Sequence, residues 1–230
     1  MIDKAPLGFI DPELIPWQPE AGIEGLYAKT LARCEETGSY TRLLKFLPGT
    51  ETTPAGVQSH DHLEELWIVE GAIYDLTLEE NFVAGMYANR LKHMDHGPWR
   101  APDGAITYEL RDQDPEGRIQ KQQYEFFDPA LREWDAVDEE AGVMVKTLTS
   151  CPSTGSFGRL VRFRPGATGV PVIDGEVGRS ELWIVSGVLA NRDTGELQGA
   201  GTYGNLDIDL LDGSWSSPVG CVVFEVRNRI

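Results

Sequence analysis

The heptapeptide ELWIVEG at residues 65–71 returns as ELWIVSG at residues 181–187, 116 residues further along the chain. Upstream, AKTLARCEETGSYTRLLKFLPG from Ala28 aligns without a gap with VKTLTSCPSTGSFGRLVRFRPG from Val145. Between residues 9 and 50, 18 of the 42 positions are identical to those 117 residues later. Because such self-similarity means a duplicated structural unit, we expect two domains, residues 1–117 and 118–230.

Each copy has the sequence pattern of a β-protein. Short runs of branched and aromatic residues, such as YTRLLKFL from Tyr40 and AITYELR from Ala105, are separated by turn sequences such as PGT, VAG and PDG. Only the DPEL and DPAL segments, where Asp11 and Asp128 could cap a short turn, interrupt this pattern. The sequence therefore predicts an all-β fold in which each copy forms a sandwich or barrel with room for one small ligand.

Composition excludes several classes of partner. Hydrophobic residues make up 41% of the 230 residues and charged residues 25%, as in ordinary globular proteins. The net charge of −17 repels nucleic-acid phosphates and anionic lipids, so we expect no nucleic-acid and no membrane partner. The N-terminus lacks the pattern of a signal peptide, and the three cysteines form no Cys-x-x-Cys pair, which predicts a reduced, cytoplasmic protein.

The duplication separates residues that serve the fold from residues that serve a site. Matched residues are expected to build the core and turns of both copies. They include Trp67/Trp183, Tyr87/Tyr203, Trp99/Trp215, Glu65/Glu181 and Glu109/Glu225. The residues that differ between the copies are candidates for a site. They are His60, His62, Glu64 and His96, which become Glu176, Gly178, Ser180 and Asp212.

These four residues form a candidate metal site. Positions 60, 62 and 64 share one face of an extended chain, and His96 lies far enough along for a hairpin to return it beside them. Imidazoles and a carboxylate suit Fe(II), Mn(II), Ni(II) or Zn(II), so we expect one divalent transition metal, in the first copy only. The competing interpretation is that these residues form a solvated acidic loop. His93 is three positions before His96, so on an extended strand the two side chains would face opposite ways, and we expect His93 at the rim of the site rather than as a ligand.

The motifs resemble the cupin superfamily. His60, His62, Glu64 and Gly71 match its first motif, and His96 matches the histidine of its second. The spacing departs from the family, because only Leu63 separates His62 from Glu64; in an alternative register, Gln58 and His60 are the first pair and Glu64 follows after three residues. The strings EELWIVEG and HGPW are similar to ChrR-type cupins, the group that also holds acetylacetone-cleaving dioxygenases.

This resemblance implies tandem cupin barrels (double-stranded β-helices, or jelly rolls), which commonly pair as homodimers. It implies a metal-dependent dioxygenase-type enzyme, with Fe(II) favoured over Zn, Ni or Mn, acting on a small dicarbonyl or hydroxyketone-like molecule. The alternatives are a non-catalytic metal- or small-ligand-binding bicupin, and another metal-assisted reaction such as isomerisation or decarboxylation. A ChrR-type anti-sigma factor is disfavoured, because the first 40 residues contain no histidine and only Cys34.

Polar residues of the first copy that become apolar in the second are candidates for substrate contact. Arg90, Tyr74, Tyr108 and Lys92 become Leu206, Ala190, Phe224 and Ile208. Arg90 could pair with a carboxylate or enolate oxygen of the substrate, although a solvent-facing position on a strand is the competing interpretation. Glu176 and Asp212 could hold an adventitious ion in the second copy only weakly.

Overall fold

The computed structural model of the chain describes residues 4, 8–138, 140–169, 178–208, 210 and 214–228. Within these residues the structure consists of β-strands and three short 3-10 turns, which confirms the all-β prediction. No helix of the described part of the chain is long and apolar enough to cross a bilayer. Glu176 and Asp212, the weak ion candidates of the second copy, lie outside the described residues.

Two compact units are present. The first barrel contains Glu13–Pro129, and the second contains the chain from Ala130 onward together with the short segment that ends at Pro12. The strands of the first barrel are β2 (Gln18–Pro19), β3 (Leu26–Arg33), β4 (Tyr40–Phe46), β5 (Thr50–Glu51), β6 (His62–Asp75), β7 (Glu80–Val83), β8 (Tyr87–Arg90), β9 (Trp99–Ala101), β10 (Ala105–Gln113) and β11 (Tyr124–Phe127).

The strands of the second barrel are β1 (Gly8–Ile10), β12 (Asp135–Asp138), β13 (Val143–Cys151), β14 (Ser156–Phe163), β15 (Gly178–Asn191), β16 (Leu197–Gly199), β17 (Tyr203–Ile208), β18 (Trp215–Ser216) and β19 (Cys221–Arg227). The first sheet runs β11-β8-β6-β10-β4-β3-β2, and the second runs β1-β17-β15-β19-β14-β13-β12. The two orders are the same once each strand is replaced by its repeat partner. The sequence duplication is therefore a duplication of topology.

One terminal strand of each sheet belongs, in sequence, to the other repeat. Gly8–Ile10, at the start of the first repeat, pairs with β17 of the second barrel, while β11, at the start of the second repeat, pairs with β8 of the first. Phe9 packs edge-on against Trp215, and Phe126 stacks on Phe82. The expected ranges 1–117 and 118–230 therefore differ from the compact units at their ends, because strand pairing decides where these two segments lie.

Residues shared by the repeats are buried as expected. Trp67, Trp183, Tyr87 and Tyr203 are at most 5% exposed. Tyr87 donates a hydrogen bond to Glu65, and Tyr203 donates the equivalent bond to Glu181. The same buried tyrosine–glutamate pair in both barrels confirms that Glu65 serves the fold.

Gly71, where ELWIVEG ends, has a backbone that only glycine fits. Its φ is +73°, and a Cβ placed on it would lie 2.2 Å from the carbonyl oxygen of Gly104. Gly187 repeats this close approach, with the oxygen of Gly220 at 1.9 Å from the added Cβ. Gly71 therefore lets β6 and β10 lie close together, and Gly187 does the same for β15 and β19.

We predict that Gly71→Ala destabilises the protein much more than Gly49→Ala. Both glycines have positive φ, +73° and +84°, and the cost of that conformation for alanine is about 1–2 kcal/mol. Gly49 has open space around it, whereas Gly71 adds a backbone clash worth about 1–3 kcal/mol more. Urea denaturation followed by circular dichroism measures the difference, and equal losses for both variants would contradict this packing.

Candidate metal centre

Backbone hydrogen bonds hold two irregular segments side by side at the start of β6. Gln58 and His96 exchange both backbone bonds, with N···O distances of 2.9 and 3.0 Å. The amide of His93 donates to the carbonyl of His60 at 2.7 Å, and its own side chain is exposed. These bonds place the side chains of His60 and His96 over the first residues of β6, and His93 contributes through its backbone.

Three of the predicted ligands converge. One donor atom each from His60, Glu64 and His96 lies within 4.8 Å of the others, and the group is largely buried. His60 Nε2 is 3.5 Å from Glu64 Oε1, and His96 Nε2 is 3.9 Å from Glu64 Oε2. Donors about 2.1 Å from one ion are roughly 3–4 Å apart, so this spacing is close to that of a coordination site.

The two imidazoles are oriented as metal ligands usually are. His60 Nδ1 is 3.2 Å from the carbonyl oxygen of His62, and His96 Nδ1 is 2.9 Å from that of Met94. A proton on each Nδ1 leaves a lone pair on each Nε2. Both Nε2 atoms are buried and, among the described residues, make no hydrogen bond. Buried nitrogen lone pairs without a donor beside a carboxylate are what a divalent metal would complete.

Glu64 is an ionised carboxylate in the interior. It is 1% exposed, and burial alone would raise its pKa; Arg111 and then Arg90 outweigh burial and hold the pKa well below its ordinary value. Arg90 Nη1 lies 2.5 Å from Oε2, and Arg111 Nε lies 2.9 Å from Oε1. The two arginines therefore keep Glu64 negatively charged and fix its plane.

His96 is a neutral imidazole over a wide pH range. Burial, followed by the nearby charge of Arg90, lowers its pKa to about 4, against the opposite effect of Glu64. Its ring also stacks on Trp99, with centroids 5.4 Å apart. Two imidazoles and one carboxylate form the donor set typical of non-haem Fe(II) sites, and the residues present therefore fit a divalent transition metal.

His62 is not part of this group, which corrects the expectation that positions 60, 62 and 64 converge. It lies at the first residue of β6, opposite Gln113. Its Nδ1 is 3.0 Å from Asp61 Oδ1, and its Nε2 is 3.0 Å from the side-chain nitrogen of Gln113. His62 therefore shares a strand face with Glu64 but sits at the rim, with both ring nitrogens occupied.

The alternative register agrees better with this arrangement. In it, Gln58 and His60 are the histidine-pair positions and Glu64 follows after three residues. Because regular alternation begins only at His62, the chain before β6 can bend and bring His60 back over Glu64. Gln58 then stands where the motif has its first histidine, and its side-chain nitrogen donates to the carbonyl of Ala55 at 2.7 Å.

Arg90 is fully buried, so it is not a solvent-facing strand residue. Its guanidinium binds Glu64 with Nη1 and Glu125 with Nη2, the latter at 2.8 Å. It therefore touches the candidate ligand itself. Orientation of a substrate by Arg90 stays a prediction.

The structure does not bring the other substrate candidates to this group. Tyr74 and Tyr108 alternate with Ile73 and Thr107, which line the cavity described below, so both tyrosines point to the opposite face of their strands. Tyr74 lies under the guanidinium of Arg100. Lys92 donates to the backbone carbonyl of Asp114 at 3.0 Å.

A cavity of about 230 Å³ adjoins the candidate metal centre inside the first barrel. Trp99 and Arg111, which line it, also contact His96 and Glu64. The apolar part of its wall is formed by Ile23, Leu26, Leu44, Phe46, Ala55, Leu66, Ile73 and Trp99. Its polar part is formed by Glu20, Tyr40, Arg42, Gln58, Glu109 and Arg111 together with two threonines.

Two residues of the site escaped the sequence analysis for different reasons. Arg111 matches Arg227, so the comparison of repeats assigns it to the fold. Glu125 corresponds to Gly8, a difference that the repeat comparison could have flagged. Nothing in the sequence, however, indicates that the strand carrying Glu125 pairs within the first barrel.

The two barrels have the tandem jelly-roll fold of cupins, and the first one carries a candidate metal centre. The comparison with known families agrees: residues 7–112 match the ChrR cupin-like domain. No match was found among curated proteins.

Several solved structures share the fold over nearly the whole chain. A candidate dioxygenase from Nostoc punctiforme is 14% identical with a TM-score of 0.74, covering 96% of this chain and 82% of that one. A candidate glyoxylate-induced protein from Pseudomonas aeruginosa is 12% identical with a TM-score of 0.72, covering 99% and 91%. An oxalate decarboxylase from Lactobacillus farciminis is 12% identical with a TM-score of 0.60, covering 98% and 87%. At such identities these likenesses show the fold alone.

We predict that His60→Ala and His96→Ala each weaken metal binding by more than the roughly 10–100-fold typical of outer-shell partners, whereas His62→Ala changes it by less than about threefold. The reason is that only His60 and His96 direct an unoccupied Nε2 lone pair toward Glu64. Competitive titration with a chromophoric zinc chelator measures all three affinities. Loss of binding in His62→Ala equal to that in His60→Ala would restore His62 as a ligand.

His96 provides a pH prediction for the metal-free protein. Since its folded pKa is about 4, against an ordinary 6.5, the ring should stay neutral at pH 5.5 and gain its proton only near pH 4. The unfolded chain takes up that proton from about pH 6.5 downward, so this contribution to stability declines as pH falls from 6.5 toward 4. NMR titration of the ring signals, assigned with His96→Asn, checks this; a midpoint near 6.5 would contradict it.

Proposed function

We propose that this chain is a metal-dependent cupin enzyme of the dioxygenase type, with Fe(II) as the favoured metal and a small dicarbonyl or hydroxyketone-like molecule as substrate. The observation that carries the proposal is the two-histidine, one-carboxylate group beside a partly apolar cavity. Bound Fe(II) would supply open coordination positions and the redox chemistry for O₂. The candidate dioxygenase among the structures of the same fold lends the proposal support by analogy only.

The protein's own residues would hold the substrate in place. The cavity is smaller than the 300–1,000 Å³ of a typical drug-sized pocket, which favours a molecule of a few heavy atoms. Burial, followed by the charge of Glu109, raises the pKa of Tyr40, so its hydroxyl stays a hydrogen-bond donor. Tyr40 and Arg111 would donate to substrate oxygens, while the apolar wall would hold the carbon skeleton and exclude water.

A non-catalytic metal- or ligand-binding role is the second candidate, and one observation favours it. Both oxygens of Glu64 are already bound by arginines, and these contacts compete with an ion for the carboxylate. This competition would lower the affinity of the centre for the metal ion, so that the ion binds but is not retained through a catalytic cycle. Oxygen chemistry separates the two functions.

We predict that the Fe(II)-loaded protein consumes O₂ with at least one member of a panel of dicarbonyls and hydroxyketones, in proportion to substrate lost. An oxygen electrode measures the uptake. The Zn(II)-loaded protein and the His60→Ala/His96→Ala double variant serve as controls, and both should show only background uptake. Fe(II) binding without uptake on any substrate would overturn the enzymatic proposal and favour the non-catalytic one.

A further inference from the structure

Glu125 reaches the candidate metal centre from the second repeat. In sequence it lies at the start of that repeat, one residue before FFDPAL, yet its strand β11 pairs with β8 of the first barrel. Its Oε1 accepts a hydrogen bond from Arg90 Nη2 at 2.8 Å, and its side chain is 17% exposed. The first barrel thus receives a carboxylate that lies beyond the ChrR cupin-like match at residues 7–112.

Arg90 connects this carboxylate to the candidate ligand. Nη1 binds Glu64 and Nη2 binds Glu125, so one guanidinium bridges two carboxylates. Its central carbon lies 5.3 Å from the ring centre of Trp99 and 5.1 Å from that of Phe126. The two rings and the two carboxylates leave the guanidinium little freedom to move.

The three charged residues of this chain of contacts have no charged equivalents in the second barrel. Glu64, Arg90 and Glu125 correspond to Ser180, Leu206 and Gly8. The aromatic residues around them persist, since Trp99 and Phe126 correspond to Trp215 and Phe9. The barrel fold therefore does not require these charges, which occur in the barrel that carries the histidines.

We propose that Glu125 is a positioning residue of the metal centre, which acts through Arg90 to hold Glu64 in place and to offset the arginine's positive charge. The inference rests on the proposed metal-binding function and deepens it. It makes strand β11 part of the site, so residues 13–117 alone lack a component of the centre.

Loss of Glu125 should weaken cation binding for two electrostatic reasons. With Glu125 present, the charge of Arg90 is shared between two carboxylates. Without it, Arg90 would face Glu64 alone, compete fully for that carboxylate, and add an uncompensated positive charge near a bound cation. Charges interact strongly in a buried site, so both effects weaken binding of a divalent cation.

A double-mutant cycle tests this coupling, with Co(II) as the probe and its visible spectrum as the readout. Glu125→Gln should weaken Co(II) binding about tenfold and shift the visible bands, because Glu64 changes its orientation. In the Arg90→Leu background, the same substitution should change the affinity less than threefold. Leucine is tolerated at this point of the barrel, since Leu206 occupies the equivalent position on β17. Thermal unfolding confirms that each variant is folded.

Glu116→Gln is the matched control. Glu116 is 71% exposed and pairs with Arg118, so the substitution removes one acidic charge away from the centre. It should leave Co(II) binding unchanged. A tenfold loss in the control, an equal loss from Glu125→Gln in both backgrounds, or no loss from Glu125→Gln would each overturn the inference. Failure of the unaltered chain to bind any metal would instead overturn the proposed function, and this inference with it.

Discussion

An ionised carboxylate buried between two arginines is the interaction on which the candidate site depends. Moving a carboxylate out of water costs several kcal/mol even after the protein relaxes, so Glu64 can stay charged only because Arg90 and Arg111 bind it. This pairing fixes the carboxylate plane, and the two histidine Nε2 atoms are arranged around it. The burial of Arg90 then requires Glu125, which brings β11 into the same network.

The second barrel shows what remains when this carboxylate is absent. Ser180 takes the place of Glu64, and its hydroxyl donates to Glu225 at 2.7 Å while Arg227 donates to it at 2.9 Å. Arg159 binds Glu225 as Arg42 binds Glu109 in the first barrel. Both barrels therefore share an arginine–glutamate ion pair between the strands equivalent to β4 and β10. Glu64, with its partner Arg90, is the part that distinguishes the first.

The sequence was sufficient to predict the two all-β units, because the repeat is long and its strands alternate regularly between turns. It could not predict where strands β1 and β11 pair, since the repeat comparison carries no information about which copy completes which sheet. His60, Glu64 and His96 were found because they vanish together in the second copy. His62 lies outside the group although it shares a strand face with Glu64, because His60, which precedes the strand, is the histidine that lies beside Glu64. The repeat comparison could not single out Arg111, because Arg111 matches Arg227. In the structure it binds Glu64 as well as Glu109, the glutamate that both barrels share.

The most direct test of the central claim is anomalous diffraction from crystals of the full chain soaked in Co(II), recorded on both sides of the cobalt absorption edge. The account predicts one cobalt peak per chain, between His60 Nε2, His96 Nε2 and the carboxylate of Glu64, and no peak inside the second barrel. A peak that includes His62 in place of Glu64, equal peaks in both barrels, or no peak in either would contradict it.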